Sequence, residues 1–179
     1  MKLLLVILLS TAMAGFSDGG SIYDYSITTI ESQTHSLGEY QGKKILIMVL
    51  PASQTADDSA YLQKMDSVAL ANSSGMAVIG IPSYEDGYND SLLTTLQPFY
   101  RSLLDTSIII SQGMYTHQSS DSLQNPLFNW LTHVSGNTHF EQEVGGAGEM
   151  YFINEQGELY GVFGPEVRMS TKILNRMLQ

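Results

Sequence analysis

The chain has 179 residues, 43% of them apolar and only 15% charged, with a formal net charge of −10. That length sustains one domain with a sizeable core and is short for two. The acidity excludes a nucleic-acid binder, which needs clustered Lys and Arg, and opposes anionic membranes and anionic small molecules; the absence of cysteine excludes disulfides, thiolate metal sites and every cysteine nucleophile.

In chain order, Met1-Lys2 places a positive charge ahead of an apolar run, Leu3 to Leu9. Ala12-Met13-Ala14 then supplies small residues where a signal peptidase reads. This layout predicts a signal peptide over 1–14, cleaved near Ala14, and an exported chain, periplasmic or secreted. The run is too short to leave a membrane span in the mature protein. Residues 15–20 read as a flexible leader, and 21–179 as one domain. Ile22, Tyr23, Tyr25, Ile27 and Ile30 alternate with polar residues, which predicts short strands or a hairpin at the start of the domain. Residues 37–44 are turn-rich.

Ile45 to Leu50 is a continuous apolar run, the pattern of a strand buried on both faces, and Pro51 ends it. Residues 55–73 carry helical spacing, with Asp57 and Asp58 in the first turn and a stop signal at Asn72-Ser73-Ser74-Gly75. Met76 to Ile81 predicts a second buried strand, stopped by Pro82. A helix over 91–104 contains Pro98, a residue that breaks helices. A short strand over 106–111 and a polar loop over 112–122 follow. A short helix over 126–134 has Pro near its first turn. Residues 136–148 read as irregular and glycine-rich. Residues 150–163 predict a hairpin about Asn154-Glu155-Gln156-Gly157, and 170–178 a closing helix. The strand–helix–strand crossover from 45 to 81 implies parallel pairing and the hairpin adds antiparallel strands. The expected class is α/β, a central mixed sheet flanked by helices.

Several motifs in this order resemble the glutathione peroxidase family. Ser21-Ile22-Tyr23-Asp24-Tyr25 resembles the family's opening, and residues 37–50 resemble its approach to the first buried strand. Ala52-Ser53 resembles the pair that leads to the nucleophile. Ile81-Pro82, Pro126-Leu127-Phe128-Asn129-Trp130-Leu131 and the 150–163 hairpin resemble later motifs, so the match runs from about 21 to 178. The resemblance implies a thioredoxin-like fold and hydroperoxide reduction in the response to oxidative stress, by a cysteine or selenocysteine assisted by Gln, Trp and Asn. In this chain the nucleophile's position is Thr55, with the family's spacing of 27 residues to Pro82. The Gln position is Glu85, and the Trp and Asn positions are Gly146 and Ala147. The resolving cysteine is absent as well.

Thr55 cannot stand in for a thiolate, because an alcohol is far less acidic and has no sulfenic state. It reads either as a polar group in a residual pocket or as the N-cap of the following helix. Glu85 and Asp86 read as a paired-carboxylate or cation site, or as a solvated loop. Gly145-Gly146-Ala147-Gly148 lacks a phosphate-loop Lys and reads as a flexible replacement for the lost Trp-Asn segment. His35, His117, His133 and His139 share no metal-ligand spacing, so no metal and no cofactor is implied. Trp130 reads as a packing residue. The expectation is a degenerate family member that acts by binding a protein or small-molecule partner. The alternatives are peroxidase activity by family membership, an unrelated activity built on Glu85 and Asp86, and a purely structural role.

Overall fold

The computed structural model of the chain describes residues 20–165 and 176–177. The signal peptide expected over 1–14, most of the expected leader and most of the expected closing helix lie outside the described residues.

Two strands, β1 (Ser26–Thr28) and β2 (Thr34–Ser36), pair antiparallel as a hairpin at the domain's start, its second strand lying beyond the alternating stretch that ends at Ile30. A 3-10 turn at Ile22–Asp24, capped by Ser21, precedes it, and a second at Leu37–Tyr40 follows. The main sheet has five strands: β3 (Lys44–Leu50), β4 (Met76–Pro82), β5 (Ile109–Ile110), β6 (Met150–Ile153) and β7 (Leu159–Phe163). Their order across the sheet is β5-β4-β3-β6-β7. β3 runs parallel to β4, with Ile47 opposite Ile79, and antiparallel to β6, with Ile47 opposite Tyr151.

The pleat sorts the apolar runs onto two faces, because successive side chains point to opposite sides. Leu46, Met48 and Leu50 pack with Met76, Val78 and Phe152 against Leu62 and Met65 of helix α1 (Ala56–Asn72) and Leu96 and Tyr100 of helix α2 (Leu93–Leu103). Ile45, Ile47 and Val49 pack with Ile79, Ile81 and Tyr151 against Leu127, Phe128 and Leu131 of helix α3 (Pro126–Thr132). Trp130 belongs to this second core. A one-turn helix, α4 (Val134–Asn137), continues from α3.

Three details depart from the sequence reading. Pro98 lies inside α2 without ending it. The buried Leu96 and Tyr100, the latter donating to Pro51 O at 2.9 Å, hold the helix on the sheet. The strand expected over 106–111 is reduced to two residues. A turn at Asp105, which accepts from Ser107 N (2.8 Å), occupies its start, and Arg101 Nη1 takes the Ile108 carbonyl at 3.0 Å. Within the loop expected over 112–122, residues Gln118–Leu123 form 3-10 turns.

Candidate functional site

β3 and β4 are parallel, so their C-terminal ends, at Leu50 and Pro82, lie side by side. β6 is antiparallel to β3 and begins at that same end, with Met150 opposite Met48. Three segments therefore converge there: 51–55 after β3, 83–88 after β4 and 144–149 before β6. Ends of this kind gather ligand sites in open α/β sheets.

Thr55 caps α1. Its Oγ1 accepts from Asp58 N (3.1 Å), while the Asp58 carboxylate accepts from Thr55 N (3.0 Å) and from Ser53 Oγ. This reciprocal box satisfies first-turn donors that a helix cannot satisfy itself. The preceding Gln54 adopts φ +56°, a left-handed turn that sets the entry angle. Thr55 is exposed. A cleft of about 160 Å³ opens beside it, walled by Pro51, Asp57, Asp58, Tyr61, Ala147 and Gly148. Tyr61 donates to Gly148 O at 3.3 Å, and its burial pushes its phenol well above the usual range.

Glu85 and Asp86 do not act as a pair. The Glu85 carboxylate accepts from Ser83 Oγ (3.0 Å), Thr116 N (3.1 Å), Thr116 Oγ1 (3.4 Å), His117 N (3.4 Å) and Ser120 Oγ. Burial opposes its ionisation, but donors from Ser120, Thr116 and Ser83 outweigh that and hold it below the usual carboxylate range. It is a loop anchor, tying the turn after β4 to residues 116–120. Asp86 points elsewhere: a Cβ on Gly146 would stand 3.3 Å from its Oδ1.

The 145–148 stretch is pinned by hydrogen bonds, where the sequence reading has it flexible. Gly148 N donates to Val49 O (2.8 Å), Gly145 N to Glu149 Oε2 (2.5 Å) and Glu149 N to Gly146 O (3.1 Å). Gly146 and Gly148 take φ of +116° and +102°, conformations that residues with a Cβ adopt only under strain. Glu149 is fully buried and accepts from Tyr151 OH at 2.8 Å. Burial, then the charge of Glu149 beside it, pushes the Tyr151 phenol far up, so it remains a neutral donor.

Thr55, Glu85, Gly146 and Ala147 thus come to one end of the sheet, on the three converging segments. Two features escaped the sequence reading: the buried Glu149–Tyr151 pair, and His117 set between Asp86 and Glu143. Only an acidic residue on a strand boundary hinted at the first, and nothing local at the second. Among the described residues no group of three or more His, Asp or Glu is placed to hold a metal ion. None of the described helices is long and apolar enough to cross a membrane.

Known structures decide the fold. Trgpx in its apo form superposes with a TM-score of 0.66 at 15% identity, over 89% of this chain and 94% of that one. The fold is thioredoxin-like. T. cruzi GPX1 matches at TM-score 0.59 and 14% identity, over 89% and 97% of the two chains. A thiol:disulfide interchange protein of the thioredoxin family from Chlorobium tepidum TLS matches at 0.59 and 14%, over 90% and 97%. Glutathione peroxidases and thioredoxin-like oxidoreductases are thus both among the structural neighbours of this thioredoxin-like chain. By sequence, no family model matches, and no curated protein matches significantly.

Proposed function

We propose that this thioredoxin-like protein is an exported relative of the glutathione peroxidases that lacks thiol peroxidase activity and acts by binding a partner or small molecule at the former active-site end of its sheet. The observation that carries this reading is Thr55. The sequence resemblance assigns it the nucleophile's position, its Oγ1 is engaged in a helix cap, and the chain has no cysteine to replace it. Peroxide reduction needs an atom that is oxidised by the peroxide and then reduced by a donor, and threonine oxygen cannot cycle in that way.

The companion positions agree. Glu85 is an ionised acceptor with its lone pairs occupied, whereas the chemistry calls for a neutral donor. Gly146 and Ala147 offer no side-chain donor to a leaving oxygen. The N-terminal pattern over 1–14 supports export.

The likeness to Trgpx and GPX1 favours a second reading, peroxidase activity by kinship, but that reading has no redox-active side chain to work with. An activity built on Glu85 and Asp86 loses its motive once the two carboxylates face different partners. The binding half of the proposal is tested by a thermal-shift screen of the purified chain against metals and small anions. A saturable rise in Tm with one of them supports it. A flat response to every one contradicts ligand binding and leaves a structural role.

A further inference from the structure

His117 lies between the turn after β4 and the segment that leads to β6, and both of its ring nitrogens face carboxylates. Nε2 is 3.7 Å from Asp86 Oδ2, on the turn after β4, and Nδ1 is 4.0 Å from Glu143 Oε1, on the segment that leads to β6. The Asp86 and His117 side chains are mostly buried, and neither Asp86 Oδ2 nor His117 Nε2 has a hydrogen-bond partner. Buried polar atoms left in this way call for an explanation.

Other charged and titratable groups crowd the same place. Glu85 accepts the His117 backbone N–H, Glu141 accepts from the neighbouring Gln118 Nε2 (3.2 Å), and Glu143 also accepts from Gln118 N (2.8 Å). From β6, the Tyr151 phenol feels the charges of Glu149, Glu143 and Asp86. The surroundings of the ring are therefore anionic.

We propose that His117 is a pH-operated clasp between the turn after β4 and the segment before β6. Neutral imidazole has one N–H, so it can serve one carboxylate while its lone pair faces the other. The imidazolium has two N–H groups and a positive charge. It satisfies Asp86 and Glu143 together, and closing each gap by about 1 Å turns both contacts into charge-assisted hydrogen bonds. Because Asp86 also abuts Gly146, the clasp fixes the 145–148 stretch whose Ala147 and Gly148 wall the cleft. The clasp's stabilisation requires the imidazolium and is absent with the neutral ring. This device stands independently of whether the protein reduces peroxides.

The test compares urea unfolding of the full chain and of His117→Gln at pH values of about 5.5 and 8. His35, His133 and His139 are common to both proteins, so their contribution cancels in the comparison. At the lower pH the substitution is expected to raise the unfolding constant about tenfold, and at the higher pH less than about twofold. Amide exchange at Gly145 to Ala147 should quicken in the variant at the lower pH only. Glu143→Gln, which keeps His117, should show a smaller loss of the same sign, and it carries the comparison should His117→Gln not fold. A loss equal at both pH values, or larger at the higher one, overturns the clasp.

Discussion

Donors from Ser83, Thr116, His117 and Ser120 converge on the Glu85 carboxylate, which makes a largely exposed loop residue a fastening point between two segments. Its folded pKa lies below its ordinary value of 4.5, so the folded state favours the ionised form. The stabilisation is complete above that ordinary value and is lost as pH falls through the lower, folded one. Glu85→Gln should therefore lower Tm at neutral pH and lose less than the wild type on acidification below about pH 4.5. Melting curves of both proteins across the acid range check this. Equal acid sensitivity would show that the donors around Glu85 do not act on its charge. The same logic separates Glu85 from a catalytic acid, whose ionisation would be tuned toward the working pH.

At the scale of elements, the helix over α2 reports how burial overrides a local breaker. Pro98 cannot donate to Thr94 O and crowds that carbonyl, yet Leu96 and Tyr100 are both buried and keep the axis continuous. Replacing the exposed Pro98 by Ala restores the missing donor. We expect a gain of about 1 kcal/mol, or roughly 2–4 °C in Tm, read by thermal unfolding. A loss would mean that α2 is packed in a bent shape only Pro supports.

The elements that were legible in the sequence share one cause. β3 and β4 are buried on both faces, so the runs at 45–50 and 76–81 had to be apolar throughout. The hairpin announces itself through Asn154, whose side chain accepts from Gln156 N and Glu158 N and so shapes the turn. The length of β5 is not legible in the run 106–111, because the turn at Asp105 and the Arg101 side chain arriving from α2 occupy its start. Thr55 as a cap was readable locally, since its partner Asp58 is three residues away. The meeting of Asp86, His117 and Glu143 was not, because three loops bring those side chains together and no spacing encodes it.

At the scale of the whole molecule, the chain keeps the thioredoxin-like architecture at about 15% identity to its structural neighbours. The end of the sheet where β3 and β4 finish and β6 begins holds a helix cap, a carboxylate anchor and a glycine-lined turn. Fold and chemistry have separate requirements: the two-sided core fixes the first, and a handful of side chains carries the second. The central claim is that this end of the sheet does not reduce peroxides. The most direct measurement follows consumption of hydrogen peroxide and an organic hydroperoxide by the purified full chain, with thioredoxin or glutathione as electron donor and heat-inactivated protein as control. The account predicts rates indistinguishable from the control with either donor. Turnover that scales with the concentration of native protein would contradict it.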